Sequence, residues 1–252
     1  MKAFIRAYWK TLLFFAVVGL IGGYFTGLYV LESYPAEMQA EMLAQGINDT
    51  TAGLMIAVQS MGYGLVLGAA GIWLGRKVGM WKDERHITRK PLMAALIISV
   101  IGGLSLIFPD LLFFGKYDRT LLDVYASKPT IPYLVATVTY GAVIEEIIMR
   151  LFVMSLVAFV LHLIFERKRE GIGTAVLVAS NVISALLFAA GHLSSTEMMF
   201  GLTPITVLRC FLLNGVFGLT FGWLYRRFGL RYAMIAHGGC HVVSKLIWIL
   251  FI

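Results

Sequence analysis

An all-α bundle of about seven membrane-spanning helices, with its N-terminus in the cytoplasm, is the fold the sequence predicts. Three observations predict it. Of 252 residues, 59% are hydrophobic and only 14% charged, against roughly 45–50% and about 25% in soluble domains. The apolar residues gather in blocks of about 20, the length at which an α-helix crosses the hydrocarbon core. Lysine and arginine collect in alternate connections, as cytoplasmic loops do. A membrane β-barrel is excluded, because its strands alternate apolar and polar residues whereas these blocks are apolar throughout. Cys210 and Cys240 both stand in apolar blocks and imply no disulfide framework.

The blocks run over 11–31, 54–74, 92–108, 131–165, 172–192, 205–225 and 233–251. The first follows Lys2, Arg6 and Lys10, much as in a signal peptide, but its length and the second span behind it make it a retained helix. The next connection carries Glu32, Glu37, Glu41 and Asp49 and no basic residue. The second block leads into Arg76, Lys77, Lys82, Arg85, Arg89 and Lys90, the fourth into Arg167, Lys168 and Arg169, and the sixth into Arg226, Arg227 and Arg231. With the N-terminus inside, 15 of the 21 basic residues are cytoplasmic. Only Lys116, Arg119 and Lys128 lie in outer connections, while Arg150, Arg209 and Lys245 fall within blocks. This bias explains the net charge of +7 without a nucleic-acid partner. The connections are short, so residues 1–252 read as one integral-membrane domain of the cell membrane, partnered by the lipid bilayer.

Block 131–165 does not fit a simple span. As a helix it would measure about 52 Å at 1.5 Å per residue, longer than the bilayer needs and too short for two spans and a turn. It must tilt, kink or project past the cytoplasmic interface, with an eighth helix the alternative. Pairs of small residues at four-residue spacing, Gly23/Gly27, Gly64/Gly68, Gly71/Gly75 and Gly218/Gly222, suit close helix packing.

Ionisable groups at membrane depth are costly and need partners. Glu146 and Arg150 are four apart, on one helix face, and read as an ion pair. Glu145 points about 100° away from Glu146 and is free to serve another helix, as a proton relay or as a catalyst. Phe188 lies one turn before His192. Counted from the cytoplasmic turn near Lys168, Glu145 and His192 sit at nearly equal depth in an antiparallel helix pair, and Asn181 returns to the His192 face. His237 and His241, at i and i+4, face one way. That is the spacing of zinc-binding histidines, but Gly238 stands where a zincin has glutamate. His237 is much nearer its cytoplasmic turn than Glu145 or His192 are to theirs. The three can meet only if the fourth and fifth segments project into the cytoplasm, which places the site in the cytoplasmic half.

These elements, Glu145-Glu146…Arg150, Phe188…His192 and His237…His241, resemble in order the motifs EExxxR, FxxxH and HxxxN of the CAAX protease and bacteriocin-processing family. That family includes the type II CAAX prenyl endopeptidase, the Ras-converting enzyme. His241 departs from the usual asparagine. The resemblance covers about 145–241 and implies that the motif-bearing part, about 131–252, is catalytic. It implies an intramembrane endopeptidase cutting a membrane-anchored, in some relatives prenylated, protein or peptide. Glu145 would be the general base and His192 would orient the water. His237 and His241 would face the oxyanion, with Glu146, Arg150, Phe188 and Asn181 in support. No cofactor is required on this reading. The family has also been described as metalloproteases, which leaves open a zinc set of Glu145, His192, His237 and His241. A non-enzymatic immunity factor and a membrane transporter are the other classes the same residues admit.

Overall fold

The computed structural model describes residues 2–83 and 86–252, so Arg85 of the basic connection lies outside the described residues. Among the described residues seven helices are long and apolar enough to cross a membrane: α1 (Lys2–Ser33), α2 (Asp49–Lys77), α3 (Arg89–Tyr117), α4 (Ile131–Phe165), α5 (Thr174–Phe200), α6 (Pro204–Phe228) and α7 (Leu230–Phe251). Each coincides with one apolar block, and no strand forms among the described residues. The chain is an all-α polytopic bundle of multi-pass membrane type.

Side-chain chemistry sets the element boundaries. Asn48 opens α2 and Thr203 opens α6 with reciprocal capping bonds to Thr51 and Thr206, and Pro204 occupies the first turn, where no amide is needed. Between α6 and α7 a single residue makes the turn. Gly229 holds φ at +106°, a backbone conformation that residues with a Cβ rarely adopt. The surface is greasy, with Phe14, Val66 and Ile97 among many exposed apolar side chains. The interior instead holds Glu146, Arg150, His237 and Lys245. That inversion suits a chain solvated by lipid.

Helix α4 runs through the middle, packed against α1, α2, α5 and α7. Block 131–165 forms one helix, not two, and about half of it adopts the wider π register, over Thr137–Glu145 and Ile147–Met154. It also projects. Ser155 Oγ lies 3.0 Å from Tyr225 Oη in the last turn of α6, and α4 continues ten residues further to Phe165. The small residues pack as expected: a Cβ on Gly23 or Gly27 would strike the backbone of α2 at Ile56 or Ala52. Helix α5 bends at His192, which separates Thr174–Gly191 from Leu193–Phe200.

The charge bias yields a direct test of orientation. A cysteine placed at Ser127 is expected to react with a membrane-impermeant maleimide in intact cells, and one at Glu170 only after lysis. The reverse pattern would invert the bundle.

Candidate active site

The site is assembled around one buried carboxylate. Glu146 and Arg150 are both wholly inaccessible, with Arg150 Nε 3.4 Å from Glu146 Oε2. Among the described residues the guanidinium has no hydrogen-bond partner. Its charge is instead flanked by the rings of Phe188 and Phe221, at 4.4 and 5.8 Å from their centroids. The other carboxylate oxygen, Glu146 Oε1, accepts from His237 Nδ1 at 3.0 Å. Glu146 therefore joins α4 to α7, and the spacing-based expectation of an isolated Glu146–Arg150 pair is incomplete. The bond fixes which nitrogen of His237 faces where: Nδ1 is occupied and Nε2 is left for the cavity. The His237 ring is stacked on Phe221, with centroids 4.7 Å apart.

Glu145, one residue earlier, points elsewhere, as its offset requires. Its Oε2 lies 3.9 Å from His192 Nε2, so the equal-depth arrangement read from the hairpin is realised. Backbone fixes this imidazole too: Nδ1 lies 2.8 Å from the carbonyl oxygen of Phe188, one turn back. A carbonyl can only accept, so Nδ1 carries the proton and Nε2 presents its other edge to Glu145. The 3.9 Å separation is too long for a direct hydrogen bond and suits a bridging water.

Glu145, His192, His237 and His241 all line one cavity of about 320 Å³. Phe188 forms part of its wall, with its ring 4.5 Å from that of His192 and 6.0 Å from that of His237. The His237 and His241 rings are 5.1 Å apart, and His241 Nδ1 is buried with no hydrogen-bond partner among the described residues. Gly238 and Gly239 permit this closeness: Cβ atoms there would press on Ala142 of α4 and on the Ser99 side chain of α3.

Asn181 is not brought to this site. It donates from Nδ2 to Leu219 O on α6, because eleven residues separate it from His192, about 16 Å along a helix, even though both share a face. Three cavity residues had no part in the sequence motifs. Asn214 of α6, Tyr133 of α4 and Lys245 of α7 also line the space around His192 and His241. Their signal was available, a polar group within an apolar block, but no spacing tied them to the other motifs.

The cavity leads from Glu145 past Tyr29, Tyr133 and Met199 towards the end of the bundle that carries the 118–130 connection, the end poor in basic residues. A zinc site asks for several ligands converging on one point. Among the described residues no group of three His, Cys, Asp or Glu side chains is placed to hold a metal ion. As arranged, the four residues do not fit a zinc set.

Residues 127–243 match the family described as type II CAAX prenyl endopeptidase Rce1-like, the family the motifs resemble. The matched stretch contains every motif residue from Glu145 to His241 and implies a membrane protease. No curated protein and no solved structure matched the chain.

Removing one member of the buried network should be far worse than removing two. Glu146→Gln leaves Arg150 buried without a counter-charge and is expected to cost about 3–5 kcal/mol, read as thermal unfolding in detergent. The double variant Glu146→Gln/Arg150→Met should recover much of that loss. Equal destabilisation by single and double variants would show that the pair is not coupled.

Proposed function

Taking 127–243 as an Rce1-like protease segment, we propose that the chain is an intramembrane endopeptidase in which Glu145 and His192 activate water without a metal. The observation that carries this reading is the Glu145–His192 pair, 3.9 Å apart across the cavity, with the imidazole tautomer set by the Phe188 carbonyl. A water between them donates one hydrogen bond to each, which turns an oxygen lone pair towards the substrate. Its oxygen attacks the carbonyl carbon of the scissile peptide bond while Glu145 takes the proton. His237 and His241 meet the oxyanion that forms. His237 gives Nδ1 to Glu146 and turns Nε2 to the cavity, and the ring of His241 lines the same wall. Donors preset where negative charge develops typically contribute a few kcal/mol to the transition state. The C–N bond then breaks, and the proton held by Glu145 passes to the leaving amine.

The substrate in this proposal is a protein or peptide held at the membrane, prenylated or otherwise anchored, because the cavity is enclosed by membrane helices and walled by Phe188, Phe217 and Phe221. On the orientation that the charge bias favours, the cavity leads away from the basic, cytoplasmic end. The active site itself, as the length of 131–165 leads one to expect, is proposed to lie in the cytoplasmic half of the membrane, with access from the opposite half.

Glu145→Gln keeps the shape of the side chain and removes the base. In the purified protein it is expected to lower kcat for a membrane-anchored peptide by about 10²–10⁴-fold with little change in KM. Unchanged cleavage by this variant would remove Glu145 from the mechanism.

A further inference from the structure

Asn214 stands in α6 between Leu213 and Gly215, inside an apolar block. It lines the main cavity and also a smaller chamber of about 170 Å³ beside it, and it shares both walls with His192 and His241. Its depth is that of the proposed chemistry. Counted from Gly229, Asn214 comes fifteen residues before the turn and His241 twelve after it, which puts the two within about 5 Å along the bundle. An asparagine in an apolar helix ordinarily bonds across to a neighbouring helix. This one bonds only within its own: Nδ2 donates to Cys210 O at 3.0 Å and lies 3.6 Å from Cys210 Sγ. A carbonyl can only accept, so the bond fixes the amide, with Nδ2 on Cys210 and Oδ1 turned away from it. Among the described residues nothing donates to that oxygen. Other acceptors in the same walls are engaged. Asp110 holds Arg209 through two bonds of 2.5 and 2.6 Å and accepts a third from Tyr125, and Tyr133 Oη accepts from Lys245 Nζ at 3.0 Å. Asn214 Oδ1 is thus an acceptor held at the level of His241 and left open to the cavity.

We propose that Asn214 binds the main chain of the substrate, its Oδ1 accepting a backbone N–H within two residues of the scissile bond. The proposal rests on the endopeptidase reading and adds a positioning contact to it. A peptide that enters the cavity displaces water, and its N–H groups, like Oδ1 itself, then need a partner. An extended chain advances about 3.4 Å per residue, so an axial offset of about 5 Å from His241 limits the choice to one or two residues. Such a contact reads the backbone and is indifferent to side-chain identity. It does not replace the asparagine that the motif carries where this chain has His241. An oxyanion calls for a donor, and the Nδ2 group of Asn214 is turned to Cys210. The cavity is offered the acceptor alone.

The test uses a peptide anchored by one S-farnesyl cysteine and a set of its analogues, each N-methylated at a single backbone position. Binding is measured to the full-length Glu145→Gln protein in nanodiscs, with Asn214 intact or changed, and the unmodified protein shows which bond is cut. With Asn214 intact, methylation at one position within two residues of that bond is expected to weaken binding at least about fivefold, the effect of stranding a buried acceptor. Asn214→Leu, which has similar volume and no acceptor, should bring the ratio between the parent and that analogue close to one. Asn214→Asp, whose carboxyl keeps an acceptor, should retain the ratio, and Asn214→Ala serves the same comparison if the leucine variant does not fold. A methylation pattern unchanged by removing the Asn214 acceptor overturns the contact, as does a set with no sensitive position. Failure to cleave the parent peptide, with the Asn214-dependent ratio intact, contradicts the protease reading alone. Cleavage without such dependence contradicts the contact alone, and a parent peptide that neither binds nor is cut overturns both.

Discussion

The Glu146 carboxylate is the constraint on which the rest of the site depends. An isolated ionised group in a membrane interior is expensive, and here one carboxylate answers two needs at once. Oε2 faces the guanidinium of Arg150 on its own helix, and Oε1 accepts from His237 on α7. The first contact makes the charges tolerable. The second sets the rotation and depth of α7 relative to α4, and so carries His241, Lys245 and Trp248 to their places along the same stripe. Phe188 ties α5 into the same unit, with its ring against Arg150 and its carbonyl oxygen on His192. The groups that hold the bundle together are thus neighbours of the groups assigned to chemistry.

Helix packing makes that arrangement accessible. Lipid supplies no hydrophobic drive between apolar helices, so association rests on close backbone approach at small residues and on polar contacts. Gly23 and Gly27 bring α1 onto α2, and Gly239 admits the Ser99 side chain of α3. The π register over most of 137–154 widens α4 at the site; such segments often occur where function interrupts regular hydrogen bonding. Its surplus length lets the α4–α5 hairpin run past the α6–α7 turn, which is how groups at unequal distances from their own turns come to one depth.

The bundle was legible because hydropathy reports spans directly. The Glu145–His192 pair was legible because a hairpin converts counting from its turn into depth. What required coordinates was everything set by rotation or by contacts between remote helices. The counting rule put Asn181 on the face of His192, yet the axial separation sends it to Leu219 instead. The bond from His237 to Glu146 could not be read from either motif alone, since it depends on how α7 turns against α4. Lys245 stood out only as a charge inside an apolar block, and neither Tyr133 nor the quenching of Asp110 by Arg209 has a sequence signature. The direction in which the cavity leads is likewise a property of helix tilt and side-chain size, to which residue spacing is blind.

Two chemistries compete for the same residues. Water can be activated by a carboxylate and an imidazole, or by a metal held by the same side chains. The Glu146–His237 bond and the Phe188–His192 bond each engage Nδ1 and leave Nε2 towards the cavity, which either chemistry can use; what favours the first is that no three His, Cys, Asp or Glu side chains among the described residues converge on one point. The most direct measurement is the metal content of the purified, active protein, taken together with its peptide-cleaving activity before and after exhaustive chelation. Glutamate–histidine catalysis predicts full activity with far less than one equivalent of metal per chain. One zinc per chain, with activity lost on its removal and restored on its return, would contradict it.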